Sequence, residues 1–197
     1  MDRESWEAEI RRTLTESADL KRRVADEMAD DIVRAAQMMV ECLRNGGIVA
    51  FCGNGGSAAD AQHLAGEIVG RFRRERPGYA GLALTTDTSV LTAIGNDYGF
   101  DQVFARQVEG LLRAGDILVA LSTSGNAANC CLAVAKAREK GIATIGLTGA
   151  DGGKLAQMCD VCLKVPHSVT ARIQEAHITI GHILCGLVED ALAEAGE

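Results

Sequence analysis

Five short apolar runs, each flanked by glycine or polar turns, constrain this chain more than any other feature. They are Gly47–Cys52 (GIVAFC), Ala80–Leu84 (AGLAL), Asp116–Leu121 (DILVAL), Gly141–Leu147 (GIATIGL) and Asp160–Val165. Runs of this length that are apolar throughout suit strands buried on both faces, as in a parallel sheet. Helical patterns alternate with them over Ser57–Val69, Gly99–Leu112, Ala127–Lys140 and Ser168–Glu194. Strands alternating with helices, joined by right-handed crossovers, predict an α/β chain: a three-layer, doubly wound, five-stranded parallel sheet. The sequence has 22 glycines but only two prolines, Pro77 and Pro166, which fits tight strand-to-helix turns better than a flexible linker.

Ahead of the first strand, residues up to about Asn45 read as helix. Ile10, Leu14, Val24, Met28, Ile32, Met39 and Leu43 recur mostly at multiples of three to four. The length predicts a break near Ser17–Leu20, and Asn45-Gly46-Gly47 is a stop signal. The expected organisation is a helical arm over 1–45 and an α/β domain over 46–197. The charged stretch Arg71–Gly78 reads as a surface loop.

With 27 acids against 20 bases, the net charge of −7 argues against a nucleic-acid partner. Aromatic content of 4% offers no stacking platform for bases. No apolar run reaches the roughly 18 residues of a membrane span. The charged first ten residues do not resemble a signal peptide. Seven cysteines, an odd number, favour free thiols in a reducing cytoplasm. Cys159 and Cys162 form a CxxC, readable as a redox pair or half a zinc site, or as buried thiols on a strand with no second CxxC to complete a site.

Ligands in such folds gather at the carboxyl ends of the strands. Two loops there are polar: Gly53-Asn54-Gly55-Gly56-Ser57 after the first strand, and Ser122-Thr123-Ser124-Gly125-Asn126 after the third. Small residues, hydroxyls and a helix N-terminus suit an anion. Neither loop is a Rossmann fingerprint or a P-loop. His63 and Glu67 follow the first loop at i and i+4 on one helix face. That spacing serves metal binding, proton transfer, or simply a surface ion pair. The last helix offers Arg172, Gln174, Glu175, His177 and His182, and spacing alone leaves His182 open as a core histidine or a catalytic one.

The segments Gly53–Glu67 (GNGGSAADAQHLAGE), Thr85–Phe100 (TTDTSVLTAIGNDYGF), Ser122–Asn129 (STSGNAAN), Leu147–Ala156 (LTGADGGKLA) and Ala171–Leu184 (ARIQEAHITIGHIL) resemble the sugar isomerase (SIS) domain proteins, and more narrowly the phosphoheptose isomerases. The resemblance covers nearly the whole chain, in order. It implies a homotetramer with active sites at subunit interfaces, and conversion of sedoheptulose 7-phosphate to D-glycero-D-manno-heptose 7-phosphate, an entry step to bacterial heptose precursors. It places phosphate contacts on Ser57, Ser122, Thr123 and Ser124, and sugar contacts on Asn54, Gly55, Gly56, Asn96, Asp97 and Gln174. It places the acid–base pair on Glu67 and His182, and one zinc ion per subunit on His63, Glu67, Gln174 and His182. Gln174 and His182 are eight residues apart, roughly 12 Å along a helix. One ion therefore needs stretched side chains, a bend, or more than one subunit.

Two positions depart from the family pattern. Ala127 stands where members often carry a further serine, and the segment 166–171 is one residue shorter than in some members and lacks an Asp before Arg172. A related non-catalytic branch of replication-initiator-associating scaffolds lacks the Glu and His retained here as Glu67 and His182. Sugar-phosphate sensors, or isomerases of other phosphosugars, are the remaining alternative. Sensors normally carry a DNA-binding domain, and the acidic first 45 residues are unlike one.

Overall fold

The computed structural model describes residues 2–193. Helix α1 (Arg3–Arg44) precedes β1 (Val49–Gly53), α2 (Gly56–Val69), β2 (Gly81–Ala83), α3 (Thr88–Tyr98), a 3-10 turn (Phe100–Gln102) and α4 (Ala105–Leu111). Then follow β3 (Ile117–Leu121), α5 (Ala128–Glu139), β4 (Ala143–Thr148), α6 (Leu155–Met158), β5 (Val161–Lys164) and α7 (Thr170–Ala193). The expected end of the last helix at residue 194, and the terminal stretch of the 46–197 domain after residue 193, lie outside the described residues.

The five strands form one parallel sheet in the order β2-β1-β3-β4-β5. Alternate residues serve opposite faces. Val49 and Phe51 of β1, with Ile117, Val119 and Leu121 of β3, join a core closed by α1, α2 and α7. Ala50, Cys52, Leu118 and Ala120 join the second core, under α4 and α5. All five residues of β1 and of β3 are buried, as their unbroken apolar runs require.

Helix α1 has no break at Ser17–Leu20. It runs 42 residues, roughly 63 Å. The expectation rested on length alone, whereas residues 3–44 contain neither Gly nor Pro. The proposed break point is instead tied to α7: Ser17 Oγ donates to Glu175 Oε2 at 2.9 Å, and Arg172 Nη1 to the Thr13 carbonyl at 2.8 Å. From Leu20 to Cys42 the helix contributes to the core. Before that, Trp6, Ile10 and Leu14 share one exposed face.

Two further differences concern the chain between β2 and β3. Helix α3 was not anticipated; it buries no residue fully, and only Leu91 and Ile94 pack, half-buried, against the second core. Its local signal is Asp87, whose carboxylate caps the Val90 amide at 2.9 Å. The helix expected over Gly99–Leu112 is a 3-10 turn followed by the shorter α4. Gly99, at φ +90°, turns the chain between α3 and that 3-10 turn.

Helix α7 is long and apolar enough, by length and composition, to cross a membrane, although polar and charged residues interrupt its apolar ones. Here its apolar face lies against α1 and α2, with Ile173, Ile180, Leu184 and Val188 in the main core. The same helix buries His177 completely. His177 Nε2 lies 3.0 Å from the Thr148 carbonyl and so carries the proton, while Nδ1 has no partner among the described residues. Burial holds its pKa down at about 4. Below pH 6.5 the unfolded chain takes up a proton that the folded chain refuses until about pH 4. Stability is therefore expected to fall with pH across that window, by about 3 kcal/mol at about 1.4 kcal/mol per unit. Urea unfolding of wild type and His177→Phe at pH 6.5 and pH 4 checks this: the variant should lose less stability between the two. Equal losses would contradict it.

Candidate active site

In the strand order β2-β1-β3-β4-β5 the connections leave in opposite directions on either side of the β1/β3 boundary, and the crevice there is where such sheets bind ligands. Gly53 and Leu121, the last residues of these two strands, are in register. The two polar loops therefore stand side by side. They are bolted together by a reciprocal pair of hydrogen bonds: Asn54 Nδ2 donates to Asn129 Oδ1 and Asn129 Nδ2 to Asn54 Oδ1, both at 2.9 Å. Asn129 was not singled out from the sequence. Its buried position in the first turn of α5 gives it this role.

Both loops feed helix N-termini. Gly55, at φ +56°, precedes α2, which has no side-chain cap. Ala127 precedes α5, also without one. The alanine noted as a departure thus sits at the N-cap, where a serine would have supplied an acceptor. Ser57 and Ser122 are buried, Thr123 is half-buried and Ser124 is exposed. Ser122 Oγ lies 3.4 Å from Ser124 Oγ, which accepts from the Asn126 amide at 3.2 Å. Beside them a cavity of about 280 Å³ is lined by Thr123, Ser124 and Asn126 and by Ser168 and Thr170 of the shortened segment. Uncapped helix starts and clustered hydroxyls suit an anionic group.

Helices α2 and α7 run side by side in the same direction. Gln174 meets α2 at Gly56 and Asp60, His182 meets it at His63, and Gly181 lies against Leu64. A Cβ on Gly181 would stand 2.5 Å from Leu64 Cδ2, so a larger residue there would force the Leu64 side chain to shift. Through this close approach three groups converge. His63 Nε2 lies 2.8 Å from His182 Nε2 and 3.2 Å from Glu67 Oε1. One ligand atom from each of His63, Glu67 and His182 falls within 4.8 Å of the others. Two imidazoles and a carboxylate form a donor set that zinc takes, with a fourth position left for a further ligand. The i, i+4 pair of α2 thus meets a third side chain, and His182 is half-buried beside it and not in the core.

The other expected site residues are placed unevenly. Gln174 donates its amide to Asp60 Oδ1 at 2.7 Å, two turns of α7 before His182. Asp60 itself is buried, its Oδ2 has no partner among the described residues, and burial pushes its carboxyl up, partly offset by the Gln174 amide and by His63. Asn96 and Asp97 are exposed at the end of α3, bonded to each other at 2.8 Å. No hydrogen bond among the described residues joins them to the loops or to the histidines. Cys159 and Cys162 sit around β5 as free thiols, the first pushed up to about 12 by burial, which suits packing and not redox work.

One region was underestimated. The charged stretch Arg71–Gly78 lies at the surface, yet it is anchored. Glu189 of α7 accepts from the backbone amides of Phe72 (2.8 Å), Arg73 (2.7 Å) and Arg74 (2.7 Å) and from Arg76 Nε (3.0 Å). Arg76 in turn donates to the carbonyls of Glu67 and Ile68 at the end of α2. Burial opposes the charge on Glu189, but these donors outweigh it and hold the carboxyl below its usual range.

The SIS domain family matches residues 14–149. A phosphoheptose isomerase from Rhodospirillum rubrum is 59% identical over 186 residues, covering 94% of this chain and 98% of that one. Another from Roseiflexus sp. is 56% identical over 178 residues, covering 90% of each. The solved structure of phosphoheptose isomerase GmhA from Neisseria gonorrhoeae matches with a TM-score of 0.89 at 49% identity, over 94% of this chain and 99% of that one. That of a phosphoheptose isomerase from Francisella tularensis matches with a TM-score of 0.90 at 40% identity, over 93% and 97%. The matching fold and this degree of identity along almost the full length lead to one conclusion: the chain belongs to the phosphoheptose isomerases of the SIS domain family.

Proposed function

We propose that this chain isomerises sedoheptulose 7-phosphate to D-glycero-D-manno-heptose 7-phosphate, feeding heptose biosynthesis. The observation that carries the reading is the convergence of Glu67, His63 and His182 beside two hydroxyl-rich loops in a phosphoheptose isomerase chain.

The chemistry follows from the residue types. Ser57, Ser122, Thr123 and Ser124, with the uncapped starts of α2 and α5, hold the phosphate. Asn54, Gly55, Gly56, Asn96, Asp97 and Gln174 contact the sugar. Gripping the phosphate end, remote from the reacting carbons, orients C1 and C2 and lowers the entropic cost of reaction. Glu67 removes the proton from C1 and returns it to C2. His182 moves the proton between the two oxygens through the enediol. His63, Glu67 and His182 would hold zinc, with the Gln174 carbonyl oxygen as the fourth protein donor. When bound, the ion polarises the carbonyl and stabilises negative charge on oxygen.

The working form is a homotetramer with sites at subunit interfaces. An apolar cavity of about 580 Å³ between α1 and α7, lined by Val33, Ala36, Val40 and Leu187, supports this. So does the exposed stripe Trp6, Ile10 and Leu14 on the arm. Asn96 and Asp97, distant in contacts from the histidines of their own chain, are suited to serve a neighbouring one. Free thiols throughout the described residues favour a cytoplasmic setting.

A coupled assay comparing sedoheptulose 7-phosphate with ribulose 5-phosphate and fructose 6-phosphate tests the substrate. The first should be strongly preferred, and preference for either other sugar would overturn the reading. Glu67→Gln should lower kcat by about 10²- to 10⁴-fold while leaving oligomer size and phosphosugar binding intact. Near-normal turnover would refute Glu67 as the base. Chelation should lower activity and added zinc restore it, and elemental analysis of active protein that finds no zinc would remove the metal from the scheme.

A further inference from the structure

Helix α7 carries an acidic residue where its neighbours Leu184, Cys185 and Val188 are buried core. That residue, Glu189, is only 2% exposed, and it gathers three consecutive backbone amides from the loop after α2. Its fourth partner, Arg76, has a side chain only 5% exposed, so the ion pair is buried. A carboxylate taken out of water is stable only when so completely satisfied. The clamp fixes the backbone from Phe72 to Arg74.

What that backbone carries is the Phe72 ring. It stacks on the His182 imidazole, with centroids 5.7 Å apart and planes 25° from parallel. The other aromatic contact of His182 is His63, edge-on at 5.0 Å and 75°. Arg73 sits over the Phe72 ring at 4.9 Å, adding a cation–π contact. Gly186, one turn beyond His182, leaves space for the ring: a Cβ there would stand 3.3 Å from Phe72 Cε1. His182 is thus held between a ring face and a ring edge, on a helix that alone fixes only its Cα.

We propose that Phe72 is a positioning residue for His182, set in place by the Glu189 clamp. It rests on the reading of His182 as the acid–base group. Phe72 stacks on the imidazole and takes no proton, and it sets the plane in which His182 meets the substrate oxygens. Misplacing such a group by about an ångström can cost up to 10²-fold in rate.

The test uses the intact enzyme with sedoheptulose 7-phosphate. Four variants are compared with wild type: Phe72→Leu, Phe72→Tyr, Glu189→Gln and His182→Gln. The second readout is the imidazole resonance of His182 in histidine-labelled protein. The chain has four histidines, and His182→Gln assigns the signal by its loss. Phe72→Leu should lower kcat about 10- to 100-fold with KM within about twofold, and should shift the His182 resonance. Tyr keeps the ring, so Phe72→Tyr should restore both. Glu189→Gln, if folded, should follow Phe72→Leu; the leucine variant carries the test regardless. Wild-type kcat in Phe72→Leu would overturn the proposal. So would a loss confined to KM, a kcat loss with the His182 signal unmoved, or an equal loss in Phe72→Tyr. Turnover near wild type in His182→Gln would overturn the assignment of His182, and this inference with it. An inactive His182→Gln beside a fully active Phe72→Leu would overturn the positioning role alone.

Discussion

The ion pair between Arg76 and Glu189 ties together the three pieces of chain on which the site depends. Arg76 reaches the carbonyl of Glu67 itself, the last-turn carbonyls of α2 and the carboxylate on α7. A guanidinium is suited to this because its donors fan out in one plane and stay charged. Helix C-termini also present unsatisfied carbonyls and partial negative charge. The clamp therefore satisfies the end of α2 and fixes α2 against α7 at once. Removing either partner of such a buried pair leaves an uncompensated charge, at a cost of about 3–5 kcal/mol. The site sits immediately before this clamp on both helices, with Glu67 one turn ahead of Gly70 and His182 two turns ahead of Glu189.

The sheet supplies the other half of the site. Adjacent parallel strands β1 and β3 end level, so their loops form one cradle, and Asn54 with Asn129 spans it. Gly125, at φ +65°, lets the second loop lie against Gly152 and Gly153, where a Cβ would collide with backbone at 2.1 Å. A close backbone approach at that point keeps the hydroxyls of Ser122 and Ser124 together. The cradle thus belongs to the strand ends and the histidine cluster to the helices. Gln174, on α7 but bonded to Asp60 in the second turn of α2, lies between the two.

Strand positions were legible because each inner residue must face one of two cores, and the unbroken apolar runs say so directly. Helix α3 was not, since its apolar signal is short, resting on the half-buried Leu91 and Ile94 behind the Asp87 cap. The continuity of α1 was legible in principle from the absence of Gly and Pro, and length was the wrong guide. In the site, the i, i+4 spacing of His63 and Glu67 was visible, but its meaning depended on His182 arriving from more than a hundred residues away. The clue to that arrival is Gly181, whose missing side chain has no local reason. The clue to the clamp is Glu189, a carboxylate four residues after buried Cys185 on the apolar face of α7. Neither can be interpreted before the packing of α7 on α2 is known.

The contact of Gly181 with Leu64 has one more implication. The spacing of His63 and Glu67 on α2 from His182 on α7 is set where the Gly181 main chain meets the Leu64 side chain. Positions 64 and 181 therefore act as a matched spacer. A larger residue at 181 would have to be met by a shift of the Leu64 side chain, or by a smaller residue at 64, to keep the same distance between the two helices.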